Sequence, residues 1–428
     1  MVRPEKYLVS ILGLSVVFAA SYAAPPGLTQ DPEPIQRVFE QASNTQFGYS
    51  LATSAGRAIV GAPFDDDSGL DSGSAYVFDG SDSWRQLAKL IALDEAAGDQ
   101  FGYSVAISGD LAIVGAWGND DDGSASGSAY IFDRSTGWSQ IAKLTASDAE
   151  RGDEFGYSVA INGNLAVVGA RLERDGGSAS GAGYVFDGST GWDQVTKLTA
   201  SDAAANDQFG TSVAISGDLA IVGAPGDRDD GPDSGSAYLF DGSTGWSQIA
   251  KLTASDAAAV DRFGTSVAIN GDLAIVGAPL DDGGGPDSGS AYLFDGSTGW
   301  DQIAQLTASD AGRGDEFGYS VAIGDDVALV GAWDNDDVGS ASGSAYLFDG
   351  STGWDQIAKL TASDAGTGDE FGYSVAISGD LAVAGARLDD DSGSASGSAY
   401  VFDRSIGWNL VAKLTESGAA APANSVSR

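Results

Sequence analysis

The chain has 428 residues, 43% of them apolar, which is enough for a large buried core. Its 61 Asp and Glu residues outnumber 21 Lys and Arg residues, giving a net charge of −40. Such a surface repels nucleic acid and anionic membranes, and it favours cations and basic partners or simply solubility. The chain has no Cys and no His, which excludes disulfides, the usual zinc sites and Cys- or His-based catalysis.

The first residues are typical of an export signal. A short charged start is followed by an apolar run from Tyr7 to Ala20, and Ser21-Tyr22-Ala23 places small residues at a cleavage site. The run is shorter than the ~20 residues of a membrane span. We therefore predict a signal peptide over 1–23 and a secreted, periplasmic or cell-surface protein; the alternative is an uncleaved N-terminal anchor. Residues 24–46 are predicted to be a linker with an extra edge strand at 35–38.

The rest of the chain is a repeat with a fixed period. The dipeptide Phe-Gly recurs every 54 residues, and Gly-Ala follows fourteen residues after each Phe. The repeated phenylalanines are Phe47, Phe101, Phe155, Phe209, Phe263, Phe317 and Phe371. Seven copies without a gap indicate a solenoid, a propeller or an array.

Each repeat has a period of two and not the helical period of 3.6. In the second repeat, apolar and small residues alternate in FGYSVAI, LAIVGA and SAYIFD, and WSQIAKLT follows a Gly-containing turn. Four strands per repeat and seven repeats predict an all-β, seven-bladed β-propeller over 47–415. An open β-solenoid is the rival. We expect Trp408 to Thr415 to complete the last blade, residues 416–428 to be disordered, and the protein to be a monomer.

The paired Phe-Gly and Gly-Ala-Pro marks resemble the FG-GAP repeats of integrin α-chain propellers and their bacterial relatives. The resemblance implies an extracellular binding module. The proline is present only as Pro63, Pro225 and Pro279. The calcium loop of many relatives, between the Phe-Gly and Gly-Ala-Pro strands, is replaced by short turns such as Ser108-Gly109-Asp110. That metal site therefore cannot be carried over.

Acidic residues concentrate instead in the loop between the second and third strands. They offer oxygen ligands and glycines, although without the alternating spacing of a calcium loop. We expect either a Ca²⁺ site or a solvated acidic rim here. The candidate ligands are Asp65, Asp66, Asp67, Asp120, Asp121, Asp122, Asp229, Asp230, Asp336, Asp337, Asp389, Asp390 and Asp391.

Alternation of the strands places these loops on the same face as the connections between repeats. Four large side chains replace the proline at strand ends on this face, and they are the candidate partner-binding residues or, alternatively, ordinary packing: Trp117, Arg171, Trp333 and Arg387. The Trp before each fourth strand recurs in every repeat, which favours a structural role. Arg-Gly-Asp occurs at 151–153 and 313–315, where its Arg position varies between repeats, so we interpret it as a chance sequence.

These features predict an exported, non-enzymatic, adhesion-type propeller that recognises an extracellular protein or glycan through its acidic face. One alternative is a structural or matrix component held together by calcium. Another is a carboxylate-based enzyme acting on polysaccharide, which would need an asymmetric pocket with two carboxylates. The near identity of the seven repeats argues against that enzyme.

Overall fold

A computed structural model describes residues 44–420 of the chain, without the side chains of residues 419 and 420. The predicted signal peptide and the strand expected at 35–38 lie outside these residues. Within the described range, no helix is long and apolar enough to cross a membrane.

The described residues form seven antiparallel sheets, six with four strands and the last with five, each built from consecutive strands. We call these sheets blades 1 to 7. Blades 1 to 4 contain β1 (Ser50–Ser54), β2 (Arg57–Ala62), β3 (Ser74–Asp79), β4 (Arg85–Leu90), β5 (Ser104–Ser108), β6 (Leu111–Ala116), β7 (Ser128–Asp133), β8 (Ser139–Leu144), β9 (Phe155–Asn162), β10 (Leu165–Ala170), β11 (Ala182–Asp187), β12 (Asp193–Leu198), β13 (Ser212–Ser216), β14 (Leu219–Ala224), β15 (Ser236–Asp241) and β16 (Ser247–Leu252). Blades 5 to 7 contain β17 (Ser266–Asn270), β18 (Leu273–Ala278), β19 (Ser290–Asp295), β20 (Asp301–Leu306), β21 (Ser320–Ile323), β22 (Val327–Ala332), β23 (Ser344–Asp349), β24 (Asp355–Leu360), β25 (Phe371–Ser378), β26 (Leu381–Ala386), β27 (Ser398–Asp403), β28 (Asn409–Thr415) and the additional β29 (Gly418–Ala420).

The blades form a closed ring around a central channel. The first strand of each blade contacts the first strands of both neighbours, and β25 of blade 7 contacts β1 of blade 1. A bridge between Phe47 and Gly397 joins the last blade to the first, as Gly73 and Phe101 join blades 1 and 2. The predicted seven-bladed propeller is confirmed, and the solenoid alternative is excluded because the ends of the array meet.

The core lies between neighbouring blades. The Phe of each Phe-Gly is fully buried; Phe209, for example, packs against Tyr238 and Phe240 at ring-centroid distances of 5.6 and 5.9 Å. The glycine of Gly-Ala allows this close packing. A Cβ on Gly223 would lie 2.0 Å from the carbonyl oxygen of Gly264 in the next blade. The two dipeptides that define the repeat therefore make the contacts that join one blade to the next.

The recurrent Trp is a turn residue. It follows a short 3₁₀ helix and has a left-handed backbone, with φ between 59° and 71°, so the fourth strand begins one residue later than predicted. Its ring packs on the blade, and Trp138 belongs to a buried cluster with Val105 and Phe132. These contacts confirm the predicted structural role. The 3₁₀ helices are Gly80–Asp82, Arg134–Thr136, Gly188–Thr190, Gly242–Thr244, Gly296–Thr298, Gly350–Thr352 and Arg404–Ile406.

The C-terminal strand completes the last blade, as predicted. Strand β28 pairs with β27, and β29 then adds a fifth strand through the pairs Lys413–Ala420 and Thr415–Gly418. Residues 416–428 were predicted to be disordered. That prediction is wrong for residues 418–420, because they pair with β28.

Candidate binding face

The connections between blades and the loops between second and third strands lie on one face of the ring. The lysine that six of the seven fourth strands carry shows this most directly. Lys251 Nζ lies 2.7 Å from Asp202, in the connection from blade 3, and 2.6 Å from Asp229, in the loop of its own blade. We call this side the acidic face, and the prediction that both kinds of connection share a face is confirmed.

In blade 4, Lys251 forms what we call a lysine cage with Asp202, Asp227 and Asp229. Asp227 is 3% exposed, lies 3.1 Å from Lys251 Nζ and accepts a hydrogen bond from Tyr238. Burial alone would lower the pKa of Lys251, but its hydrogen bonds to the three carboxylates raise it above the ordinary value. The ammonium is therefore held charged, and it ties the loop to the preceding connection.

A lysine at this position binds loop carboxylates in six of the seven blades, and in five of them it also binds an acid of the preceding connection; in blade 1 its described partners are both in the loop. These lysines are Lys89, Lys143, Lys197, Lys251, Lys359 and Lys413. The buried acid is Asp65, Glu173, Asp227 or Asp389 in blades 1, 3, 4 and 7. Blades 2 and 6 have Asn119 and Asn335 in its place.

The predicted metal ligands therefore serve different purposes. Seven of them bind a lysine: Asp65, Asp67, Asp121, Asp229, Asp337, Asp389 and Asp391. Three accept a backbone N–H five residues later and close the loop: Asp66, Asp120 and Asp336. Three are exposed: Asp122, Asp230 and Asp390.

Two groups of carboxylates have the compactness of a metal site. They consist of Asp202, Asp227 and Asp229, and of Asp364, Asp389 and Asp391. A lysine Nζ lies within 3.1 Å of all three carboxylates in each group. The oxygens that would coordinate Ca²⁺ are thus already hydrogen-bonded to an ammonium, so these groups do not fit a free calcium site.

Blade 5 departs from this pattern. Gln305 stands where the lysine would be, and Gly283 replaces the third acid. Asp281 is 5% exposed and accepts hydrogen bonds from Gly283 N, Ser290 Oγ and Tyr292 OH. Among residues 44–420, no Lys or Arg lies within ion-pair distance of Asp281. Blade 5 therefore keeps the buried acid without its cation.

The inner edge of the acidic face carries a collar of aromatic side chains around the channel mouth. Adjacent rings are 4.8–5.2 Å apart along Tyr157, Tyr103, Tyr49, Tyr373 and Tyr319. Blades 4 and 5 interrupt the collar with Thr211 and Thr265. The mouth is consequently most open at these two blades.

The four predicted partner-binding residues pack against this collar. The guanidinium groups of Arg171 and Arg387 lie 3.7 and 3.8 Å from Tyr157 and Tyr373, and they pair with Glu154 and Glu370. Trp333 donates a hydrogen bond to Glu316, and Trp117 lies edge-on to Tyr103. All four are half-buried. Much of each side chain is thus already engaged within the ring.

The opposite end of the channel opens into a cavity of about 540 Å³. Isoleucines of the first strands form its wall, and Asp325, Asp326 and Arg404 lie at its mouth. Arg404 binds Asp326 through two hydrogen bonds of 2.8 and 2.9 Å. The charged groups at this mouth are therefore largely satisfied by each other.

The two Arg-Gly-Asp sequences are only half accessible. Arg151 and Arg313 are exposed, but Asp153 and Asp315 are 3% and 4% exposed. The carboxylate of Asp153 accepts a hydrogen bond of 2.7 Å from the N–H of Glu150. A receptor that must contact the aspartate cannot reach it in this conformation. This agrees with the interpretation of the tripeptide as a chance sequence.

Sequence reasoning missed two features of this face. The lysine cages went unnoticed, although in six of the seven repeats a lysine follows the acidic loop by a constant interval. Leu70 and Leu93, in the loop of blade 1 and the connection to blade 2, are 70% and 84% exposed. Ser124 and Ser147 stand at the corresponding positions one repeat later. Comparison of the repeats position by position would have found both features.

Comparisons with known proteins agree with this architecture. A family model described as the FG-GAP repeat matches residues 40–78, 84–132, 138–186, 192–240, 246–294, 300–348 and 354–402. A search of curated proteins found no match. Among solved structures, the computationally designed Ika8 protein is similar in fold, with a TM-score of 0.50 and 16% identity over 87% of this chain and 88% of that one. The seven matches cover most of the chain, and the protein belongs to the FG-GAP repeat family.

Proposed function

We propose that this protein is an exported, non-enzymatic binding module that recognises an extracellular protein through its acidic face. The FG-GAP propeller is consistent with a binding or adhesion-type protein. A rigid ring with variable loops on one side suits recognition of a large partner. Export rests on the apolar segment from Tyr7 to Ala20.

The observation that carries the proposal is the pair of exposed leucines on the acidic face. Leu70 and Leu93 are 70% and 84% exposed, and Ile91 nearby in sequence is 45% exposed. The next repeat has Ser124, Thr145 and Ser147 at these positions. These leucines depart from the polar residue that the next repeat keeps, and apolar side chains presented on a polar face suit contact with a protein surface. They favour a protein partner over the glycan that the sequence left as an alternative.

The charge of the face indicates the kind of partner. Exposed carboxylates such as those of Asp122 and Asp230 surround the ring and are not paired with lysines in the described residues. A partner with a basic surface would be attracted by this field, and its association would slow as salt screens it. The proposed partner therefore combines basic groups with an apolar contact.

The test compares two variants in which exposed apolar residues are replaced by the residues that other repeats have at the same positions. One variant changes the acidic face, and the other changes the opposite face. Leu70→Ser with Leu93→Ser removes the apolar pair, and Ile406→Thr removes an exposed isoleucine on the opposite face. Each introduced residue is native at the same position of other repeats, so both variants should fold. Proteins captured from the extracellular medium of the producing cells would be compared by quantitative mass spectrometry.

We expect a set of captured proteins that is lost with the leucine variant and kept with Ile406→Thr. Equal capture by all three forms would contradict the proposal. Binding to a glycan array would instead support recognition of a sugar. If that binding survives the leucine substitutions, the sugar site lies away from Leu70 and Leu93. Intact-mass measurement of the secreted protein, beginning at Ala24, tests export separately.

A further inference from the structure

The loop between the second and third strands has a buried acid in five blades, at the position of Asp227 in blade 4. A lysine pairs with this acid in every one of them except blade 5. Asp65, Glu173, Asp227 and Asp389 lie 2.8–3.1 Å from a lysine Nζ. Asp281 occupies the corresponding position of blade 5 and is 5% exposed. The residue that should compensate it is Gln305, which carries no charge.

A buried carboxylate without a cation is unfavourable, because it has lost its hydration without gaining an opposite charge. Three hydrogen-bond donors, Gly283 N, Ser290 Oγ and Tyr292 OH, satisfy part of this loss for Asp281. Asp256 adds a second negative charge from the connection that precedes the blade. After burial, the charges of Asp281 and Asp256 are the largest causes that raise the pKa of Tyr292. The local field therefore favours the arrival of a cation.

In blade 5, a neutral and exposed amide takes the place of the lysine amine of the other blades. Gln305 is one bond shorter than lysine, and its amide donates to Ser290 Oγ and Tyr292 OH at 3.3 and 3.2 Å without reaching Asp281. Gln305 is exposed, whereas the six lysines are half-buried. Gly283 has no side chain to cover the position from the loop side. An ammonium group from solvent would reach Asp281 by displacing the exposed amide of Gln305, which is held only by two hydrogen bonds of 3.2 and 3.3 Å.

We propose that blade 5 binds a primary ammonium group between Asp256, Asp281 and Tyr292, supplied by a lysine side chain of the partner protein. The equivalent atoms of blade 4 hold the ammonium of Lys251, at 2.7 Å from Asp202 and 3.1 Å from Asp227. The guest lysine reproduces that contact and completes the seventh cage. The site offers two carboxylates and a hydroxyl, at most five oxygens, because the amide of Gln305 turns its N–H toward Tyr292. Ca²⁺ prefers six to eight oxygen ligands.

That the ammonium comes from a partner protein rests on the proposed function. The existence of an ammonium site in blade 5 does not. A free amine should bind with or without a protein partner. The two ideas can therefore fail separately: loss of amine binding would leave the leucine contact intact, and an unaltered set of captured proteins would leave the ammonium site intact.

The test is a titration of the protein with n-butylammonium chloride at constant ionic strength, followed by ligand-observed NMR. Tetramethylammonium, which has the charge but no N–H, is the control ligand. Gln305→Lys places the protein's own ammonium in the site. Lys251→Gln with Asp229→Gly converts blade 4 into a copy of blade 5 and is the matched gain-of-site variant.

We expect one saturable n-butylammonium site in the unmodified protein, about tenfold or more weaker in Gln305→Lys, and a second site in the blade 4 variant. Tetramethylammonium should not saturate. The proposal is overturned if n-butylammonium does not saturate, if Gln305→Lys binds it equally well, or if tetramethylammonium competes with it. It is also overturned if Ca²⁺ saturates the same site at lower concentration and is lost in Gln305→Lys.

Discussion

Blades 4 and 5 share one backbone plan and differ in the cage, where Gln305 and Gly283 of blade 5 replace Lys251 and Asp229 of blade 4. Their four strands have the same lengths, and Phe209 and Phe263 both lie 5.6 Å from the tyrosine of the third strand. Lys251 compensates the buried acid of blade 4, and Gln305 leaves that of blade 5 without a cation. The fold therefore does not depend on the cage. The difference shows that packing between blades determines the architecture, while the cage adjusts local stability and surface chemistry.

The largest effect should be the same in both blades. Phe209→Ala and Phe263→Ala each remove a fully buried ring, and each should lower the free energy of unfolding by about 3–5 kcal/mol. Denaturant unfolding of the two variants measures this. A clear difference between them would contradict the view that the two blades have equivalent cores.

Removing a lysine from its cage should separate blades with a buried acid from blades with a buried amide. Lys251→Gln leaves Asp227 buried without a cation, and a loss of about 2 kcal/mol is expected, below that of a fully buried pair because Asp202 and Asp229 are exposed. Lys143→Gln in blade 2 leaves the neutral Asn119, and a loss of about 1 kcal/mol or less is expected. Chemical denaturation at neutral pH compares them; equal losses would show that the buried charge is not what the lysine compensates.

Blade 5 should also respond more strongly to pH. Burial, followed by the charges of Asp281, Asp256 and Asp282, raises the pKa of Asp261 from 3.8 to about 6. Between these values the folded chain holds more protons than the unfolded chain, so the contribution of Asp261 to stability falls as pH rises through this window. Asp261→Asn should remove that fall, an effect on the order of 1 kcal/mol between about pH 4 and 7.

Asp207→Asn in blade 4 is the matched control for this pH dependence. Burial raises the pKa of Asp207 too, but the nearby Lys251 opposes the rise. Its substitution should therefore flatten the pH profile less. The free energy of unfolding, measured across this pH range, checks both variants. The same pH dependence in both, or stability that rises with pH where a fall is expected, would contradict the prediction.

The smallest effect concerns the backbone that leads into blade 5. Val260 has φ of 79°, a left-handed conformation that is unfavourable for a β-branched side chain, and four other connections have a glycine at this position with φ of 80–89°. Val260→Gly should raise stability by about 0.5 kcal/mol, since relief of strain is partly offset by the flexibility of glycine. Asn206→Gly in blade 4 should change little, because Asn tolerates this conformation. Thermal unfolding at a fixed pH would count against the interpretation if Val260→Gly lowered the midpoint.

The fold could be predicted almost completely from the sequence. Phe-Gly and Gly-Ala recur at a constant interval because each of them makes a contact between blades, as Gly223 does with Gly264. A physical requirement repeated seven times leaves a repeated signal. The misplaced start of the fourth strands has the same origin: the Trp is constant because it occupies a left-handed turn, and a constant aromatic residue looks like the first residue of a strand.

The site was less predictable, because it depends on where distant side chains point. Asp202, Asp229 and Lys251 are 22 to 49 residues apart along the chain and meet only when the connection folds back over the blade. The acidic run suggested a cation but not that the chain provides one. The exception at Gln305 acquires meaning only once the other lysines are seen to bind carboxylates.

The unfolding free energy of Gln305→Lys tests the central claim of charge compensation most directly. The new ammonium should pair with Asp281 and stabilise the protein by about 1 kcal/mol at neutral pH, measured by denaturant titration. Asp230→Asn makes the same change in net charge on the same face without entering a cage, and it should change stability by less than about 0.5 kcal/mol. A gain for Gln305→Lys that exceeds the control is the predicted result. A gain no larger than that of Asp230→Asn, or a loss, would contradict the account.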